Sequence, residues 1–198
     1  MSIKGYNSED PYTYSGSFIL KNKLNLKTES ELDKAERRLY GLQELTKPSR
    51  IEIELNSFLD LHKHLFGTLY TWAGEIRQVP LSKGGTPFCN HQFIEKHLQK
   101  CLNQLCSINI QSLDTEALAK FLAPIINELN MIHPFREGNG RHLRSFLEIY
   151  LNQNNHSIDF SKIRHREPDD WVSACIAGAT CNHIPMQKLL ERAIKRNS

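Results

Sequence analysis

The sequence predicts an all-α fold, a helical bundle carrying one short β-hairpin. Three observations predict it. Apolar residues recur at helical spacing in several long segments. Two capping-box patterns, Thr28 with Glu31 and Ser49 with Glu52, stand directly before such segments. A Gly84-Gly85 pair between two short extended runs is the hairpin signal.

The elements follow in order. Residues 1–27 are rich in turn and aromatic residues (Tyr6, Tyr12, Tyr14, Gly16) and read as irregular. Thr28 opens a helix over roughly 29–45, and Ser49 opens a second over roughly 50–66. In the second, Ile51, Leu55, Phe58, Leu59, His62 and Leu65 form the apolar stripe, and Gly67 is the stop. Residues 76–88 carry the hairpin, with Lys83-Gly84-Gly85 at its turn. Pro80 and Pro87 confine it to an edge, because proline donates nothing to a ladder. An edge hairpin can take an extended peptide as an added strand; a plain surface loop is the equal alternative for this segment alone. A helix follows over roughly 91–106. The longest apolar stripe, Leu118, Phe121, Leu122, Ile125, Ile126, Leu129 and Ile132, predicts a central buried helix ending at His133-Pro134. The next begins near Gly140 and buries Leu143, Phe146, Leu147, Tyr150 and Leu151. The last two fit 168–178 and 186–196, with Pro185 near the first turn of the second.

Composition narrows the function classes. The 198 residues suit a single domain spanning 1–198. No apolar run has the length to span a bilayer, and Met1 to Pro11 lacks the basic flank and apolar stretch of a signal peptide. These features predict a cytoplasmic protein with no membrane partner. The net charge of +3 is mild and its basic residues are dispersed, which argues against direct nucleic-acid binding. Lys188, Arg192, Lys195 and Arg196 lie at helical spacing and read as a solvated face. The five cysteines (Cys89, Cys101, Cys106, Cys175, Cys181) are an odd number without a C-x2-C pair, so they read as buried free thiols.

The chemistry lies in His133 to Arg144, between two buried helices. Gly138-Asn139-Gly140 stands at a helix N-terminus, where glycines allow positive φ and close approach, and free N–H groups with the helix dipole make an anion site. Arg141 and Arg144 are three apart and project from one face, suited to clamping phosphates. Glu137 among these cations suits a metal held beside phosphates. His133 has the near-neutral side chain of a general base, Pro134 stiffens the loop and Phe135 anchors it in the core. Each feature alone has a plainer reading: a helix end, a turn, a solvated arginine face. Their order within twelve residues favours a phosphate-handling site.

That segment, H-P-F-R-E-G-N-G-R-H-L-R, resembles the Fic family motif H-P-F-x-(D or E)-G-N-G-R-x-x-R at every defined position. The resemblance extends to D-P-Y-T-Y-S-G-S-F-I-L-K-N-K-L-N-L from Asp10, to T-W-A-G-E-I-R from Thr71, and to K-G-G-T-P-F from Lys83. It implies a Fic-fold helical bundle with a β-hairpin flap beside the active-site loop. It also implies transfer of AMP from ATP to a Tyr, Thr or Ser hydroxyl of a target protein; the alternatives are transfer of another phosphate-containing group on the same scaffold and a catalytically silent interaction module. In that reaction His133 takes the hydroxyl proton and Glu137 holds Mg²⁺. Gly138, Asn139 and Gly140 cradle the phosphates, Arg141 and Arg144 hold the phosphate tail, and the flap Lys83, Gly84, Gly85, Thr86, Pro87 and Phe88 docks the target segment.

Many members of that family inhibit themselves with a helix bearing S/T-x-x-x-E-G/N. Ser112 with Glu116 is followed by Ala117, and Thr71 with Glu75 by Ile76, so neither fits. The resemblance is therefore to the toxin-like bacterial subgroup, restrained by a separate small antitoxin that supplies the helix. Toxins of this similarity often act on DNA topoisomerase subunits, which places such a subunit among the expected targets.

Overall fold

A computed structural model describes residues 10–164 and 170–197. It is a predominantly α-helical bundle with two small two-stranded antiparallel sheets, the first of them a hairpin. Helix α1 spans Glu29–Leu45, and Thr28 caps it as expected: the Glu31 N–H reaches Thr28 Oγ1 at 3.4 Å, while the Glu31 carboxylate returns to the Thr28 hydroxyl, which donates to Oε2 at 2.6 Å.

Helix α2 runs Leu55–Phe66, so the Ser49 box does not open it. Burial alternates from Ile51 to Leu55, which is the period of extended chain. Ile51 and Ile53 pack against the core from that extended run, and the Ile51 N–H is taken by Gln153 Oε1 at 3.2 Å. Tertiary packing of two β-branched residues outweighs the local cap. Gly67 does cap the helix.

The hairpin is short, β1 (Ser82–Lys83) pairing with β2 (Thr86–Pro87) through Lys83↔Thr86. Gly84 and Gly85 have φ of 57° and 84°, the two positive values a two-residue I′ turn requires. After a turn of 3-10 helix at His91–Phe93, helix α3 occupies Ile94–Cys106. Helix α4, Thr115–Ile132, is the central helix, buried along Leu118, Leu122, Ile125, Ile126, Leu129 and Ile132 and packed by α3, α7 and α8. Helix α5 is Asn139–Asn152.

The C-terminal region departs from expectation in its short elements. Helix α6 is Ser161–Arg164 and α7 is Asp170–Ala179; the expected start of α7 at 168 lies outside the described residues. Helix α8 spans Ile184–Ala193 with Pro185 in its first turn, but it stops there. Residues Ile194–Arg196 form β4, antiparallel to β3 (His156–Ile158). Burying Ile194 against the core while pairing its backbone favours a strand over another helical turn. Lys195 and Arg196 are thus exposed on a strand, not on a helix face with Lys188 and Arg192. Of the cysteines, Cys101 and Cys175 are buried, Cys89 is half-buried, and Cys106 and Cys181 are exposed. No helix among the described residues is long and apolar enough to cross a membrane.

Candidate active site

The site forms where α4 ends and α5 begins. Helix α4 terminates at His133, which takes a left-handed conformation (φ 48°, ψ 62°). A histidine there costs on the order of 1–2 kcal/mol, so surrounding bonds must impose it. Arg77 imposes it. Its side chain is fully buried, and its guanidinium donates to four carbonyls: His133 at 2.8 Å, Val79 at 2.6 Å, Cys89 at 2.6 Å and Ile132 at 3.3 Å. Its own N–H donates to the Pro134 carbonyl at 2.9 Å. Burial draws its pKa down to about 10, which leaves it charged at neutral pH. Arg77 therefore ties both ends of the flap to the loop. Its position in T-W-A-G-E-I-R was the only sign of this in the sequence.

The loop is held from below by two more groups. Phe135 is completely buried and stacks on His62 at 3.7 Å between ring centres. The Gly74 N–H donates to His62 Nδ1 at 2.9 Å, so Nε2 bears the ring proton and donates to the Glu137 carbonyl at 3.0 Å. Burial, followed by the neighbouring His142, keeps the His62 pKa well below its ordinary value and the ring neutral. Asn139 turns its amide inward, accepting from the Phe135 N–H at 2.9 Å and donating to the Phe135 carbonyl at 2.8 Å. Its side chain thus shapes the loop, and only its main chain is available to a ligand.

Gly138 caps α5 with φ of 81°; a Cβ there would lie 2.6 Å from the Phe66 ring. Gly140 differs from the expected second positive-φ glycine, because it sits in the ordinary first turn of α5. A Cβ on it would meet only Arg144 Nη1, at 3.9 Å, so its smallness leaves open space above the helix N-terminus. The first N–H groups of α5 have no intrahelical partner and point into that space. Arg141 and Arg144 are both partly exposed on the same side of the helix.

His133 lies 3.8 Å from Phe88 of the flap, ring stacked on ring at 9°. Its Nδ1 is 3.1 Å from the Asn130 carbonyl, which can only accept. Nδ1 therefore carries the proton in the neutral ring, and Nε2 keeps its lone pair. That Nε2 is buried and has no protein partner among the described residues. Burial is the main cause of a pKa pushed down to about 4, with the charges of Arg77 and Lys83 adding to it. The flap residues Lys83, Gly84, Gly85, Thr86 and Pro87 are exposed.

Glu137 accepts the Gly138 N–H at 2.9 Å on Oε1, and Arg141 Nη2 stands 3.7 Å from that same oxygen. Burial and the nearby Glu36 carboxylate raise its pKa. Among the described residues no cluster of three metal-ligating side chains occurs. One carboxylate at the edge of an anion nest nevertheless fits Mg²⁺, which is commonly held by one or two carboxylates plus substrate phosphates. The sequence signalled neither of two acidic partners: Asp10 stood out only as the start of the D-P-Y-T-Y segment, and Glu36 not at all. Asp10 pairs with the buried Arg136 through Oδ2 at 2.9 and 2.7 Å, and Glu36 of α1 pairs with Arg141. Both partners are over a hundred residues away, and no local pattern signals them.

Comparison with known proteins gives this geometry its context. The Fic/DOC family profile matches residues 52–151. A Sinorhizobium fredii protein named “Probable protein adenylyltransferase y4lH” is 30% identical over 192 residues, covering 96% of this chain and 98% of that protein. The N-terminal Fic domain of a Bartonella quintana effector with bound ADP superposes with a TM-score of 0.82 at 25% identity, covering 94% of this chain and 95% of that one. The BepC effector of Bartonella tribocorum with bound AMPPNP gives 0.80 at 26% identity, covering 98% and 100%. The helix N-terminus with its glycines, the arginine pair, the buried histidine and the hairpin stacked over it all lie inside the matched span, and the chain belongs to the Fic/DOC family.

Proposed function

We propose that this chain is a protein adenylyltransferase, moving AMP from ATP to a Tyr, Thr or Ser hydroxyl of a target protein. The observation that carries the reading is His133. Its Nδ1–H is committed to Asn130, and its Nε2 lone pair is buried without a protein partner beside the helix nest. That is the disposition of a base awaiting a proton.

In this reading the nest N–H groups at the start of α5 and the arginines Arg141 and Arg144 bind the triphosphate. Magnesium held at Glu137 would neutralise part of the phosphate charge. The target hydroxyl would approach the edge of the His133 ring where Nε2 lies, beside the Phe88 ring stacked on its face, and His133 Nε2 accepts its proton. The hydroxyl oxygen attacks the α-phosphorus, the bond to the β-phosphate bridging oxygen breaks, and pyrophosphate leaves. Little covalent work falls to the protein, so positioning and preorganised charge supply most of the acceleration. The nucleotides bound in the two similar Bartonella structures support a nucleotide on this loop.

The flap would dock the target segment as an added strand on β1 or β2 and set the hydroxyl in line. The chain would act as the toxin of a pair. Thr71 to Glu75 lies in the turns after α2 and Glu116 in the first turn of α4, and neither carries the inhibitory signature. A small antitoxin would supply that helix, and a DNA topoisomerase subunit is the proposed target.

The test is transfer in a cell lysate with Mg²⁺ and ATP labelled on the α- or the γ-phosphate. The reading expects α-label, and no γ-label, in a protein band, with His133→Ala abolishing it. Transfer of γ-label would make the enzyme a kinase instead. Growth inhibition by the wild-type chain expressed alone, absent with His133→Ala, is the outcome expected of a toxin; harmless expression without modified protein would sink that part.

A further inference from the structure

Arg141 is claimed by two carboxylates, and the geometry decides between them. Its Nη2 is hydrogen-bonded to Glu36 Oε1 and stands 3.7 Å from Glu137 Oε1, beyond hydrogen-bond reach. The other oxygen of Glu36 accepts the hydroxyl of Tyr70. Tyr70 is 1% exposed and stacks on Trp72 at 4.4 Å, so this anchor is fixed by the core. The guanidinium lies near the Phe66 ring at 4.9 Å and the Tyr40 ring at 5.2 Å, which limits its swing. Glu36 itself comes from α1, which buries only Leu32 among its own residues. Polar bonds hold that helix to α5: Glu36 to Arg141, Tyr40 to Ser145 at 3.3 Å, Ser145 to Glu44 at 2.7 Å, and Lys47 of the next turn to Glu148 at 2.9 Å.

We propose that Glu36, braced by Tyr70, is a positioning residue that holds Arg141 off Glu137 and so keeps the Glu137 carboxylate for the divalent cation that accompanies ATP. It rests on the role given to Glu137 in the proposed reaction. Without Glu36 the guanidinium has a carboxylate within an ångström of bonding distance and moves onto it, since a bidentate or direct arginine–carboxylate bond is among the stronger polar contacts. Glu137 is then neutralised by Arg141 instead of by the metal. Arg141 is at the same time drawn away from the phosphates. The contact differs from an inhibitory glutamate because the sequence around Glu36 lacks the S/T-x-x-x-E-G/N pattern.

The test is calorimetric titration of ATP over a range of Mg²⁺ concentrations, in the His133→Ala background so that no turnover occurs. Glu36→Gln keeps the side-chain shape and removes the charge; it is expected to raise the Mg²⁺ needed for half-maximal ATP binding about tenfold, a usual size for coupling between neighbouring sites. Tyr70→Phe loosens the same carboxylate without removing it and should shift the requirement the same way by less, which keeps the test open if Glu36→Gln fails to fold. In the His133-intact enzyme, AMP transfer by Glu36→Gln should fall at low Mg²⁺ and recover at high Mg²⁺. An unchanged Mg²⁺ requirement in both variants overturns the proposal. So does a transfer rate that rises, which would make Glu36 a brake, or one that falls equally at every Mg²⁺ concentration in step with melting temperature. A wild-type chain that binds ATP with Mg²⁺ but transfers nothing would defeat the adenylyltransferase reading while leaving the binding comparison intact.

Discussion

His133 combines three constraints that separately look unfavourable. Its backbone is left-handed, its ring is buried, and its Nε2 lacks a hydrogen bond. Together they give a neutral ring of known tautomer with its lone pair held ready. The ordinary histidine value is 6.5 and burial lowers this one to about 4, so the unfolded chain binds the proton more tightly between those values. His142, drawn down to about 3 by burial, and His62, also lowered, act in the same direction. Stability from these groups is fully present above about 6.5 and is lost as pH falls toward the folded-state values. Thermal unfolding between pH 8 and pH 4.5 should therefore show melting temperature flat above neutrality and falling below about 6.5. His142→Asn should blunt that fall. In the same range the pH profile of transfer should show no loss of His133 basicity near 6.5; a descending acid limb there, without unfolding, would contradict the lowered pKa.

At the scale of elements, the flap and the loop after α4 behave as one body because Arg77 binds both. Its guanidinium spans carbonyls on either side of the hairpin, Val79 and Cys89, and at the end of α4, Ile132 and His133. Arg77→Met fills much the same volume but orphans these buried acceptors. A loss of roughly 3 kcal/mol or more is expected from the stranded carbonyls, or about 6–12 °C in melting temperature for a chain of this size. Arg77→Lys should recover little, since one ammonium cannot reach four acceptors placed around a planar fork. Calorimetry checks the stability, and transfer activity at a temperature where both variants remain folded checks whether the flap still registers over His133. The hairpin itself was legible from Gly84-Gly85, because two positive φ values in succession nearly require that pair. Helix α1 was equally legible from its capping box. The start of α2 was not, because Ile51 and Ile53 found the core in extended conformation and the box at Ser49 went unused.

Across the whole molecule, the N-terminal segment is a strap over the site. Asp10 receives two bonds from Arg136, with each side chain 5% exposed, and also takes the Tyr12 N–H at 2.9 Å. Tyr12 in turn accepts the Gln78 N–H at 3.1 Å and packs edge-on against Trp72 at 5.6 Å. Breaking one side of a buried pair leaves the other charge uncompensated, typically a cost of roughly 3–5 kcal/mol. Asp10→Ala should therefore unfold at clearly lower denaturant concentration, whereas a surface change such as Lys34→Ala should not. Equal midpoints for the two variants would show that the strap contributes nothing to the fold.

The order of the loop, the residue types at His133, Glu137, Gly138, Arg141 and Arg144, the hairpin turn and most helices are written in contiguous sequence. They depend on backbone conformation and hydrogen bonds between residues a few positions apart, and such rules can be read without a third dimension. Which distant group meets which was decided only by packing. Asp10 on Arg136, Glu36 on Arg141, Arg77 under the loop and β4 beside β3 all join residues far apart in the chain. A charged side chain on an exposed helix and one aimed at a buried partner have the same local signature. Only the folded core, by withdrawing water from one of them, makes the partner necessary.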